Sequence, residues 1–231
     1  MLPGVATFTR VCAYDRPGTV IGLAVKDRSR SDPVAMPRSA IGAVQDLHAL
    51  LRAARIPVPV VLAGHSTGGL LVLLYAYTFP HEVAGLVLVD ALPDGLRRDL
   101  TPSQFDAFLK LNTERPKELE SYTAYETIPF DPAFAALQRM ERIRPLRPMP
   151  LVVVSRGLPL ALPSSVPAGF SQALERAWRI GQANLVNLEP DAQHVIAMHA
   201  DHYIMLEQPD LVVRAIRDVV DAIRRRARLR R

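Results

Sequence analysis

The sequence predicts an α/β fold, a mostly parallel sheet flanked by helices with a helical insertion over one edge of the sheet. Three observations point there. Short apolar runs of strand length alternate with helical patterns. Each run is apolar on both faces, as a parallel strand covered on two sides requires. The stretch from Pro93 to Pro150 breaks this alternation with prolines and short helical pieces and no strand pattern. At 231 residues, 49% hydrophobic and 22% charged, the chain suffices for one substantial core.

In chain order, Phe8 to Tyr14 is read as the first strand, with Cys12 in its interior between Val11 and Ala13. Ser39 to Arg55 is an amphipathic helix through Ile41, Val44, Leu47, Leu50 and Leu51, ended by Pro57. Val58 to Ala63 is the next strand, and Leu70 to Phe79, apolar all round, is a buried helix. Gly85 to Val89 is a third strand. The insertion follows, with a helix over Gln104 to Leu111 among Pro102, Pro116, Pro129, Pro132, Pro145 and Pro148. Leu151 to Val154 and His194 to Met198 complete the strands, separated by a helix over Ala168 to Leu185. The last helix, Leu211 to Arg226, carries Val212, Ala215, Ile216, Val219, Val220 and Ile223 on one stripe. The expected organisation is a core of residues 1–92 and 151–231 with a helical cap over 93–150.

The formal charge of +5 sits in the tail. Of 28 Lys and Arg residues, Arg224, Arg225, Arg226, Arg228, Arg230 and Arg231 close the chain, and the remaining 22 face 23 Asp and Glu. The body is nearly neutral, so no nucleic-acid partner is expected; the tail reads as a solvated helix end, with membrane or nucleic-acid binding as the alternative. One cysteine forms no internal disulfide. Met1 to Val5 has neither the basic region nor the apolar run of a signal peptide, and no 18 consecutive apolar residues exist. A cytoplasmic protein without a membrane span is the expectation. No phosphate-binding loop, dinucleotide fingerprint or metal constellation is visible, so no cofactor or metal is expected.

The chemistry is concentrated in Gly64-His65-Ser66-Thr67-Gly68-Gly69, between an apolar strand and an apolar helix. Glycines flanking Ser66 permit a sharp turn that exposes its hydroxyl at the strand's carboxyl end. A serine hydroxyl is a weak nucleophile at neutral pH; it needs a base within hydrogen-bond reach and a third group to orient that base. In an open parallel sheet such groups gather beyond the carboxyl ends of the strands. Asp90 closes the strand Gly85 to Val89 and is the candidate acid, a turn-forming aspartate being the plainer alternative. Among six histidines, His48 and His81 are remote, His65 is locked in the serine turn and His194 starts its strand at the far edge. His202 and, behind it, His199 remain as candidate bases.

Gly64 to Gly69, Gly85-Leu86-Val87-Leu88-Val89-Asp90-Ala91, and His202-Tyr203-Ile204 with Glu207-Gln208-Pro209-Asp210 together resemble the α/β-hydrolase superfamily, as does the order Ser, Asp, His. Asp15-Arg16-Pro17-Gly18 resembles that family's exit from its fourth strand. The strand Leu151 to Val154, the counterpart of the family's seventh, is followed by no carboxylate until Glu175, so the resemblance points to the branch whose acid follows the sixth strand, hence Asp90. It implies a serine-dependent hydrolase of carboxylic esters or related small acyl substrates, with Thr67 donating one backbone N–H to the oxyanion. The alternative is a truncated, weakly active or inactive relative that binds without turnover.

Only seven residues precede Phe8, so the family's first three strands, and the loop that supplies its second oxyanion donor, have no counterpart. Three explanations follow: a late start, a weak or inactive fragment, or a sheet rebuilt with Phe8–Tyr14 beside Val58–Ala63. In the insertion, Phe105 and Phe134 are candidate substrate-lining residues, together with Phe108, Leu109, Tyr122, Tyr125 and Phe130. The alternative is that these aromatics form the insertion's own small core.

Overall fold

The computed structural model describes residues 1–20, 28–114, 117–226 and 229. Arg228, Arg230 and Arg231 of the basic tail, and Pro116, lie outside the described residues. Four parallel strands form one sheet in the order of the chain: β1 (Val60–His65), β2 (Val83–Val89), β3 (Leu151–Arg156) and β4 (Gln193–Ala197). Parallel neighbours need a crossover each. The first is α3 (Thr67–Thr78), and the third contains α7 (Phe170–Val186). The middle crossover contains the insertion, with α4 (Leu96–Asp99), α5 (Pro102–Thr113), a turn of 3-10 helix at Lys117–Leu119 and α6 (Phe130–Ile143). Before the sheet come α1 (Leu2–Ala6) and α2 (Ala40–Ala53); after it come α8 (Ile204–Glu207) and α9 (Pro209–Arg225).

The central strands show why the apolar runs are continuous. Leu86 and Leu88 of β2, with Leu151 and Val153 of β3, face the cluster formed by α2, α3, α6 and α7. Val87 and Val89, with Val152 and Val154, face α1 and α9 on the other side. All eight are buried. At about 1.5–3 kcal/mol for each apolar side chain removed from water, both faces are a principal source of stability. Helix ends follow local chemistry: the Ser39 side chain accepts from Gly42 N to start α2, and Thr101 with Gln104 forms a reciprocal cap at the start of α5. Strand β1 begins two residues later than the apolar run, because Pro59 has no N–H to donate to the ladder. It continues through His65, which pairs with Val89.

The N-terminal segment differs from expectation. Phe8 to Tyr14 forms no strand; residues 2–6 are helical, and Cys12 is exposed rather than inside a strand. Val5, Phe8 and Val11 instead pack on the cluster at α9, where Arg217 lies over the Phe8 ring and Arg224 donates to Phe8 O. An aromatic and two aliphatics at this spacing serve a helix surface as well as a strand, and here they seat on α9. Among the described residues, β1 therefore ends the sheet, and the expected pairing of Phe8–Tyr14 with Val58–Ala63 does not occur. No helix of the described residues is long and apolar enough to cross a membrane.

Phe105 and Phe134 are only 1% and 2% exposed. Their rings pack together and onto Phe108 and Phe130, and all four join the cluster beneath the insertion. With no accessible surface to offer, they do not line a cleft, so the expectation of substrate contact from these two residues is corrected. Phe134→Ala is accordingly expected to lower unfolding free energy by about 3–5 kcal/mol in urea titration, as a buried aromatic truncation does.

Candidate active site

Ser66, Asp90 and His202 all lie beyond the carboxyl ends of parallel strands, at the ends of β1 and β2 and in the loop after β4. At Ser66 the backbone takes φ 52° and ψ −125°, a conformation that side chains rarely adopt. The surrounding glycines make that turn possible. A β-carbon on Gly64 would overlap Gly68 O, and one on Gly69 would overlap Ala91. The turn is also tied to the neighbouring strand, since Ser66 N donates to Val89 O at 3.2 Å and Leu92 N donates to Ser66 O at 2.9 Å. Those two bonds flank Asp90 and hold the serine beside it.

Asp90, at 0% exposed, is satisfied on both oxygens. Oδ1 accepts from Trp178 Nε1 at 3.0 Å and from Arg156 N at 3.3 Å; Oδ2 accepts from Arg156 Nη1 and from His202 Nδ1, each at 2.6 Å. Burial by itself would raise this carboxyl, but the His202 hydrogen bond and the charge of Arg156 outweigh it and hold Asp90 below the ordinary carboxylate range. The Arg156 guanidinium lies over the Trp178 ring at 4.7 Å and donates to Glu175 Oε1 at 2.8 Å. A buried cation is thus placed between two carboxylates, which offsets the cost of removing it from water.

His202 is 9% exposed and spends its Nδ1–H on Asp90, which leaves Nε2 for other chemistry. His65 braces it from the serine turn. The two rings lie 4.4 Å apart, and His65 Nε2–H donates to His202 O at 2.7 Å. Among the described residues, Ser66 Oγ and His202 Nε2 form no hydrogen bond with each other. The structure therefore brings Asp90 and His202 into contact and sets Ser66 beside them without closing the third link. Thr67 opens α3, where a helix's first N–H groups have no earlier turn to bond.

The other histidines are elsewhere. His199 is exposed, with its backbone N–H on Gln208; His194 bonds Ser155 Oγ at 2.9 Å; His48 stacks on Phe79 and contacts Glu82. Sequence reasoning missed Arg156, Trp178 and the bracing role of His65. The available signal was an arginine just after the apolar run Leu151 to Val154, since such a charge needs a buried partner. Glu175, set aside as too distant for the acid, reaches Asp90 through Arg156. No group of three or more potential metal ligands occurs among the described residues.

The alpha/beta hydrolase family profile matches residues 1–215. The chain belongs to that family. It is 28% identical over 211 residues to the uncharacterized protein YqjL of Bacillus subtilis, covering 90% of this chain and 72% of that one. Among solved structures it is similar to a variant of the meta-cleavage product hydrolase CumD, at a TM-score of 0.59 and 19% identity, covering 95% and 83% of the two chains. A putative lipase from Acinetobacter baumannii AYE superposes with a TM-score of 0.54 at 19% identity, covering 84% and 71%. These likenesses are of fold.

Burial, followed by the nearby charge of His202, lowers the His65 pKa to about 4. Its folded value lies below the ordinary 6.5, so the unfolded chain binds the proton first as pH falls. Stability should therefore decline between pH 6.5 and 4, by up to about 3 kcal/mol from this group. Urea titrations across that window should show a smaller decline in His65→Gln than in the parent protein.

Proposed function

We propose that the protein is a serine-dependent hydrolase of carboxylic esters or closely related small acyl compounds, acting through Ser66, His202 and Asp90. The observation that carries the reading is the Asp90 to His202 hydrogen bond beside a serine held at positive φ. In the reaction His202 Nε2 takes the proton from Ser66 Oγ as the oxygen bonds to the acyl carbon. The carbonyl electron pair moves onto oxygen, where the Thr67 N–H stabilises it. Collapse expels the alcohol, which receives the proton from His202. Water, activated by the same imidazole, then releases the acid. Throughout, Asp90 keeps the Nδ1 tautomer and steadies the imidazolium. Residues 93–150 act as the cap over this site, although Phe105 and Phe134 support it from within rather than by touching substrate.

A second reading, binding without turnover, draws on the open link between Ser66 Oγ and His202 Nε2. Fluorophosphonate labelling separates the two, because it requires an activated serine. The expected outcome is labelling at Ser66 and its loss in Ser66→Ala, together with loss of p-nitrophenyl acetate hydrolysis. Asp90→Asn should reduce turnover by about 10⁴ through the wrong imidazole tautomer. An unlabelled parent protein, or an undiminished Ser66→Ala, would exclude the hydrolase reading.

A further inference from the structure

When His202 Nε2 takes the proton from Ser66 Oγ, the imidazole becomes a cation, and the charges around it decide how readily that cation forms. Asp90 favours it. The Asp90 oxygen that receives His202 Nδ1 also receives Arg156 Nη1, each at 2.6 Å. Sharing one oxygen, the two nitrogens lie no more than about 5 Å apart, where like charges repel strongly once water is excluded. The Arg156 side chain is 4% exposed and that of Asp90 0%, so solvent screens little of this repulsion.

Folding gives a weak reason for the arginine. Trp178 Nε1 and His202 Nδ1 already place a donor on each Asp90 oxygen, and an ion pair buried this deeply adds little net stability over apolar packing. Arg156 Nε is moreover buried without a hydrogen-bond partner among the described residues, which adds a cost. The guanidinium is nonetheless held firmly. Its Nη2 donates to Glu175 Oε1 at 2.8 Å, Leu160 N donates to the same oxygen at 3.1 Å, and the Trp178 ring lies against its plane. Glu175 thus tempers the guanidinium charge from its other terminal nitrogen.

The remaining groups around His202 do not duplicate this. His65 packs on it from the serine turn, but with its pKa lowered to about 4 it is uncharged above that pH. Trp178 from α7 and Tyr203 from the same loop each meet the His202 ring at 5.5 Å. Asp201 and Glu207 bond the loop itself, Asp201 Oδ1 accepting from Tyr203 N and Glu207 Oε2 from Asp201 N. Among the described residues, Arg156 is the one arginine or lysine bonded to Asp90.

We propose that Arg156 is a positioning residue that sets the pH range of the reaction: by sharing Asp90 Oδ2 with His202 it makes the imidazolium harder to form, so His202 stays an unprotonated base at lower pH than Asp90 alone would allow. Glu175 limits the effect. The inference rests on the acyl-transfer reading above.

The test is the acid limb of kcat/KM for p-nitrophenyl acetate, which reports the base of the free enzyme, in the full chain, in Arg156→Gln and in Glu175→Gln. Arg156→Gln should move the midpoint of that limb upward by about one pH unit or more, because the repulsion is gone. Glu175→Gln leaves the guanidinium unbalanced and should move the midpoint downward, by about half a pH unit. Opposite displacements distinguish charge from structure, since mere loosening of the Asp90 to His202 contact would lower kcat in both variants without separating their midpoints. An Arg156→Gln midpoint that is unmoved or lowered overturns the proposal. If Arg156→Gln does not fold, Glu175→Gln decides, its side chain being the more exposed at 18%: a lowered midpoint supports the proposal, and an unmoved or raised one overturns it. Fluorophosphonate labelling of the parent separates the two levels of failure. Its absence removes both readings, whereas a labelled parent with an unmoved Arg156→Gln profile removes only this one.

Discussion

Everything at the carboxyl edge of the sheet depends on one buried carboxylate. Asp90 has no exposure to water, so each lone pair left unmatched would carry a desolvation cost of about 1–3 kcal/mol or more for a charged group. The chain meets this with donors from three places: β3 through Arg156, α7 through Trp178 and the loop after β4 through His202. The same bonds that keep the charge buried lock those three elements together. Ser66 is carried along, because its backbone bonds the residues on either side of Asp90.

The unusual partner is Arg156. A guanidinium on the oxygen that also receives His202 draws on the same negative charge, and Glu175 on its other face returns some of that charge. A chain Glu175, Arg156, Asp90, His202 therefore runs from α7 into the site, each carboxylate accepting from nitrogen donors beside it. Trp178 closes it from the side, donating to Asp90 while stacking under Arg156 and meeting His202 edge-on at 5.5 Å. Networks of this kind favour one arrangement strongly, since loss of any member strands a buried charge.

At the other end of the sheet the chain solves a different problem. With no strand beyond β1 among the described residues, the N-terminal segment is held by side chains rather than by a ladder. Phe8 is fixed on α9, and the turn at Arg16 to Gly18 is clasped by the insertion through Glu126. The insertion is consequently attached to both halves of the fold. Its aromatic residues are spent on that attachment, which is why Phe105 and Phe134 belong to the core.

The sequence by itself determined the sheet and the serine turn. Strands covered on two sides leave uninterrupted apolar runs, and a turn at positive φ leaves glycines, so both are written in neighbouring residues. Asp90 and His202 were legible for the same reason, as polar residues closing apolar strands or following them. Phe8 to Tyr14 was not, because its apolar spacing suits either a strand or a seat on α9, and only the presence of that helix chose between them. Likewise Arg156, Trp178, Glu175, His65 and Arg16 carry no local mark of their partners. Asp90 meets Arg156 across 66 residues, Trp178 across 88 and His202 across 112, while Arg16 meets Glu126 across 110. Which charges become buried together was decided by tertiary structure, because the desolvation that makes such pairings obligatory arises only when distant segments exclude water around them.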